Sequence, residues 1–142
     1  MLDGAIIGGV HRLTLRVYYE DTDFSGHVYH ANYLKFCERA RSDFLRVLGV
    51  DQNAMIGADG GLMFVVRRMA CEFLKPARFD DVLLVETRPG ETAGARFELD
   101  QRVLRGDEVV FSAAVTAALI DGRGKPRRLP PELFTKLAKV PS

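Results

Sequence analysis

One stretch alone carries a long helical period. Between residues 31 and 48, Tyr33, Phe36, Cys37, Ala40, Phe44 and Leu48 recur at steps of three and four, and Lys35, Glu38, Arg39, Ser42, Asp43 and Arg46 fall on the opposite side. Gly49 follows as a helix-ending residue. Leu34 and Leu45 widen the apolar stripe beyond one flat contact, which predicts that a sheet embraces the helix. The rest of the core must come from strands. Residues 12–20 alternate Leu13, Leu15, Val17 and Tyr19 against polar neighbours, and strand-like runs follow at about 62–74, 81–88, 95–105 and 108–120. Turn signals at Pro76, at Pro89 with Gly90, and between Arg105 and Asp107 separate these runs. One helix after the first strand, then a four-strand meander, predicts an α+β fold in which a five-stranded antiparallel sheet wraps one long central helix. The edges of such an open sheet need cover, and a second copy supplies it, so a homo-oligomer, dimer or tetramer, is expected.

The chain has 142 residues, the size of one domain, so 1–142 is read as a single unit. Residues 1–10 are expected to be a flexible N-terminus, and residues 131–139 a short C-terminal helix with Pro130 and Pro131 near its start. With 47% hydrophobic and 27% charged residues the chain can build a core without staples. Cys37 and Cys71 sit among apolar neighbours with no CxxC spacing, which argues against a disulfide or a zinc site and for a reducing, cytoplasmic setting. The apolar start at residues 5–10 is short, holds two glycines and lacks a basic region before it, so it does not read as a signal peptide. No run approaches the length of a membrane span, and no membrane insertion is expected.

The formal net charge is +1, which removes the basic excess of a dedicated nucleic-acid binder. That sum hides an asymmetry. Residues 121–142 hold six basic side chains against Asp121 and Glu132, giving +4 and leaving −3 on the first 120 residues. Lys125, Arg127 and Arg128, with Arg123, form a basic turn that is either a solvated surface or a clamp for phosphate oxygens. It has no interleaved aromatic platform for nucleic acid.

The informative segment is the loop DTDFSGHVYH between the first strand and the helix. On residue type alone Asp21 and Asp23 read first as turn or helix-cap residues, with Asp23, immediately before the helix, also able to face the helix start as a carboxylate. His27 and His30 form an HxxH pair, but a metal site needs more convergence than one short segment supplies, and no metal or other cofactor is expected. Cys37 lies on the apolar stripe and reads as a buried thiol. Backbone N–H groups in a helix's first turn lack intrahelical partners and carry positive partial charge, a natural site for an oxyanion.

Taken together, YYEDTD, the Gly26 turn, YHANYL at the helix start, CERAR, FVVRRM and FLKPARFDD resemble the hotdog-fold acyl-CoA thioesterases of the 4-hydroxybenzoyl-CoA type, and most closely their Tol-Pal-associated branch. Phe24 and Ser25 stand where small residues are usual, and His27 stands at a usually apolar position. The resemblance implies a hotdog fold and hydrolysis of a short-chain or aromatic acyl-CoA to free acid and CoA. It assigns the catalytic carboxylate to Asp23, as nucleophile or general base, and polarisation of the thioester to the backbone N–H of His30. The His30 side chain, Tyr29 and Asn32 are further candidates near the substrate, while Asp21 keeps its turn role. Basic residues on the FVVRRM strand and after the last strand are implied in CoA contacts across a subunit interface, which nominates Arg67, Arg68, Lys125, Arg127 and Arg128. Adjacent strand residues point to opposite faces, so at most one of Arg67 and Arg68 is expected to face a given groove. Two rival readings stand beside this one: a hotdog enoyl-thioester hydratase or dehydratase, and a non-catalytic acyl-CoA-binding module.

Overall fold

The computed structural model describes residues 3–58 and 60–138. The helix α1 runs from Asn32 to Val47, and its apolar stripe is buried as expected at Tyr33, Phe36, Cys37, Ala40, Phe44 and Leu45. Leu34 remains 38% exposed, whereas Asp43, assigned to the polar side, is 3% exposed. Asp43 is drawn inward by His11, whose Nε2 lies 2.6 Å from Asp43 Oδ2, and by the Gly4 N–H at 2.8 Å. His11 is fully buried, edge-on to Phe44.

The sheet has six strands, not five: β1 (Ala5–Ile7), β2 (Val10–Arg16), β3 (Met63–Phe73), β4 (Val82–Ala93), β5 (Arg96–Arg105) and β6 (Glu108–Ile120). The extra strand, β1, lies inside the segment expected to be flexible and pairs with β2 through a turn in which Gly8 and Gly9 both take positive φ. The strand order is β1-β2-β4-β5-β6-β3, with every pair antiparallel. The expected four-strand meander is therefore corrected: β4, β5 and β6 form a three-strand meander, and β3 crosses to the far edge to pair with β6. β2 ends at Arg16, short of Tyr19, because Val17 turns to bond the 80–81 loop and residues Tyr19–Asp21 form a 3-10 turn.

The sheet's inner face closes over α1. Phe97, Leu99, Phe111, Val115 and Leu119 pack against Phe36 and Phe44, and each large apolar side chain removed from water contributes about 1.5–3 kcal/mol against the entropy of ordering it. One polar residue sits in this layer without penalty: Gln101 accepts from Arg41 and donates to the Cys37 carbonyl and Thr87 Oγ1, so its amide is fully occupied. A short helix α2 (Gln52–Gly57), too brief to leave a period, is capped by Asp51 accepting from the Ala54 N–H at 3.0 Å. The C-terminal helix α3 spans Pro131–Ala138; residue 139, where the expected helix ends, lies outside the described residues.

Candidate active site

The loop from Thr22 to Ala31 is built on three anchors. Asp21 is buried, its Oδ2 accepts from the Tyr18 N–H at 2.8 Å, and its carbonyl accepts from the Tyr29 N–H at 2.9 Å and the Asn32 side-chain amide at 2.8 Å. This is the turn role expected of Asp21. The Val28 N–H donates to the Ala77 carbonyl at 2.8 Å, while the Ala77 N–H donates to the Tyr33 hydroxyl at 3.0 Å, so the 75–81 loop clasps the helix start. Between these anchors the chain folds back on itself: the Asp23 N–H donates to the His27 carbonyl at 2.9 Å and the Gly26 N–H to the Asp23 carbonyl at 3.0 Å, with Gly26 at φ +81. That left-handed conformation is why glycine stands there.

The reversal presents Asp23 to solvent. Its Oδ1 accepts from the Ser25 N–H at 2.8 Å and the Ser25 hydroxyl at 2.5 Å, and Oδ2 meets no donor among the described residues. The bonds from Ser25, first the hydroxyl and then the N–H, hold the Asp23 carboxyl below its ordinary range, with smaller help from His27 and His30, so it is ionised at neutral pH. The Ser25 hydroxyl also lies 3.1 Å from His27 Nδ1.

His30 is exposed at the same end, its ring 4.5 Å from that of Tyr29 and 6.0 Å from that of Phe73. Among the described residues its backbone N–H reaches no acceptor, and Ala31, just before α1, supplies no capping side chain. Asn32 is buried with its amide committed to Asp21, so it supports the loop from beneath. Phe24 is fully exposed at the loop tip, and Tyr19, also exposed, stacks on Phe79 at 4.4 Å. No group of three or more His, Cys, Asp and Glu converges among the described residues.

The basic candidates lie elsewhere. Arg67 and Arg68 are exposed on β3 where the register shifts, Val66 opposing Ala117 and Arg68 opposing Thr116, so Arg67 is the extra residue of a bulge. Strict alternation does not hold across it, and the expectation of opposite faces for these two residues loses its basis. Lys125, Arg127 and Arg128 are exposed in a turn organised by Asp121. The Asp121 carboxylate accepts from the Arg123 and Lys125 N–H groups at 2.9 and 3.1 Å and from Arg127 at 3.3 Å. These donors, the Lys125 N–H foremost, keep it below the usual carboxylate range. The turn follows Ile120, whereas the His30 ring touches Phe73, which pairs with Phe111 at the other end of β6. From Phe111 to Ile120 the strand covers roughly 30 Å at about 3.3 Å per residue. One chain does not bring its basic turn to its own Asp23.

Sequence reading missed His11, which follows the inward parity of Leu13 and Leu15, and missed Ser25, whose place two residues after Asp23 is the spacing of an Asx turn.

A single antiparallel sheet wrapped around one central helix, with a polar loop at the helix start, is the hotdog architecture. Residues 25–112 match the thioesterase superfamily, and the chain belongs to that family, as an enzyme of the thioester-hydrolase type. It is 42% identical over 120 residues to the acyl-CoA thioesterase YbgC of Haemophilus influenzae, covering 84% of this chain and 88% of that one. It is 39% identical over 127 residues to the acyl-CoA thioester hydrolase YbgC of Escherichia coli O157:H7, covering 88% and 93%. Among solved structures, a probable thioesterase from Bartonella henselae superposes with a TM-score of 0.82 at 46% identity, covering 85% of this chain and 99% of that one. A 1,4-dihydroxy-2-naphthoyl-CoA thioesterase from Synechocystis superposes with a TM-score of 0.84 at 23% identity, covering 92% and 97%, which speaks for the fold alone.

Proposed function

We propose that this protein hydrolyses short-chain or aromatic acyl-CoA thioesters, with Asp23 as the reacting carboxylate and the His30 N–H as the oxyanion donor. The observation that carries the reading is a carboxylate with one oxygen held and one that meets no donor among the described residues, in the loop that ends at an N–H with no acceptor among them, beside the first turn of α1. Acting as base, Asp23 takes a proton from water as the water oxygen bonds the acyl carbon. The carbonyl electron pair moves onto oxygen, facing the His30 N–H, and collapse breaks the C–S bond to release CoA thiolate, which recovers the proton. Acting as nucleophile, an Asp23 oxygen bonds the acyl carbon as the C–S bond breaks and CoA thiolate leaves; water then adds to the acyl carbon of the mixed anhydride, frees the Asp23 carboxylate and gives up the proton that the thiolate takes. Both routes leave an acid and CoA.

Two terms of comparable size combine here: a general base contributes about 10² to 10⁴-fold and one oxyanion donor about 10² to 10³-fold. The His30 ring and Tyr29 flank the reacting carbon, and the exposed Phe24 with the Tyr19–Phe79 stack suits an apolar or aromatic acyl group. Arg67, Arg68, Lys125, Arg127 and Arg128 serve the CoA phosphates, the basic turn reaching a site on a second copy of the chain in the cytoplasm. Thiol release from a panel of short-chain and aromatic acyl-CoAs, compared between wild type and Asp23→Asn, tests the reading. A fall of about 10²-fold or more is expected on the assignment of Asp23 as base, and equal rates overturn it.

A further inference from the structure

An exposed aspartate has a broad, twofold χ2 well and two equivalent oxygens, so left alone it offers either oxygen in many orientations. Here a single residue supplies both donors to Oδ1: the Ser25 N–H at 2.8 Å and the Ser25 hydroxyl at 2.5 Å. A hydroxyl carries one proton, and an ionised carboxylate can only accept, so that proton points at Asp23. Toward His27 the Ser25 oxygen must therefore accept. It lies 3.1 Å from Nδ1 and 3.4 Å from the His27 N–H, and the first of these contacts requires the proton on Nδ1. Each bond polarises the next, so the imidazole fixes the hydroxyl rotor and the hydroxyl fixes the carboxylate. The loop backbone holds the three residues in register through the bond between the Asp23 N–H and the His27 carbonyl.

We propose that Ser25 is a positioning residue that acts through Asp23. With His27 bracing its hydroxyl, it holds Oδ1 and leaves Oδ2 as the atom that meets water or the thioester. The proposal rests on the reading of Asp23 as the reacting carboxylate. Ser25 itself forms no bond to the substrate, and no covalent step passes through it. Because Asp23 and Ser25 are exposed, the arrangement serves orientation and contributes little to the stability of the fold.

The test is a cycle of Ser25→Ala in the wild-type and Asp23→Asn backgrounds, with Ser25→Thr and His27→Asn as conservative partners. Thiol release from one acyl-CoA and the melting temperature are read for each. Losing a hydrogen bond to a charged group predicts a drop in kcat of about tenfold for Ser25→Ala. KM should stay within about twofold and the melting temperature unchanged, since no buried contact is lost. Ser25→Thr restores the hydroxyl and most of the rate. His27→Asn keeps a donor in the Nδ1 place and holds the rate, whereas His27→Leu loses part of it. In the Asp23→Asn background Ser25→Ala has no further effect on the residual rate. Wild-type kcat in Ser25→Ala, together with an inactive Asp23→Asn, overturns this proposal alone. An equal Ser25→Ala loss in both backgrounds also overturns it, because the serine would then act elsewhere. Wild-type kcat in Asp23→Asn overturns the underlying assignment of Asp23, and the positioning role with it.

Discussion

A residue without a side chain sets the geometry of the Asp23 loop. Gly26 stands at φ +81, and a Cβ built on it would meet no atom within 4 Å, so a substitution there clashes with nothing and strains only the backbone. Gly26→Ala is expected to cost about 1–2 kcal/mol, a fall of roughly 3–7 °C in melting temperature for a chain of this size. Asn tolerates the left-handed region better and should lose less. Because the Gly26 N–H closes the turn onto the Asp23 carbonyl, the alanine variant should also lose kcat, measurable by thiol release in the same samples used for melting. At this scale the turn role of Asp21 was legible, since an acid in a loop before a helix start has a local physical meaning, whereas the parts given to Asp23 and the His30 N–H came from the family resemblance. The sequence was silent on pairs made by folding. His11 and Asp43 meet across 32 residues, and neither residue type nor spacing announces the contact.

Among the long strands, β3 is the one at a sheet edge. It is 11 residues long, lies at the end of the sheet, and leaves Met63 37%, Val66 45% and Phe73 53% exposed. A long edge strand with apolar side chains invites pairing with another chain, and native proteins block such edges with charge where pairing is unwanted. Val66→Lys is therefore expected to shift the protein toward monomer, read by light scattering across a concentration series, with melting temperature becoming independent of concentration. No shift in mass would remove β3 from the interface. The existence of every long strand was legible from alternation, but Pro89 and Gly90, read as a turn, lie inside β4 at an irregularity of its pairing with β5. The order of the strands was not legible, because consecutive strands are neighbours more often than not, and nothing local in β3 says that it passes β4 and β5 to reach β6. β1 escaped for another reason: three residues flanked by glycines are too few to display a period.

At the scale of the whole molecule, the Asp23 loop ends beside Phe73, which pairs with Phe111, while the basic turn follows Ile120, so roughly 30 Å of β6 runs between those two levels. If both the loop and the turn serve one substrate, they come from different chains. Mixing Asp23→Asn protomers with Arg127→Ala/Arg128→Ala protomers, after joint unfolding and refolding, should then rebuild one complete site per hybrid dimer. Thiol release at low acyl-CoA should exceed that of either variant alone, and a mixture no better than the average of its parents would return the basic turn to the solvent. The charge asymmetry between the first 120 residues and the rest was readable from the start; which chain's carboxylate it serves depends on where the sheet ends fall, and composition holds no such information. The bulge in β3 bears on how the chain can change in length. Without Arg67, Val66 would still oppose Ala117 and Arg68 would still oppose Thr116, the partners they have now. A gene could drop that codon and keep every neighbouring pair. Losing Met69 instead would let the bulge close by drawing Arg68 into the half-buried place opposite Val115, so the tolerance for deletion belongs to the two arginines, either of which can be lost with the same product.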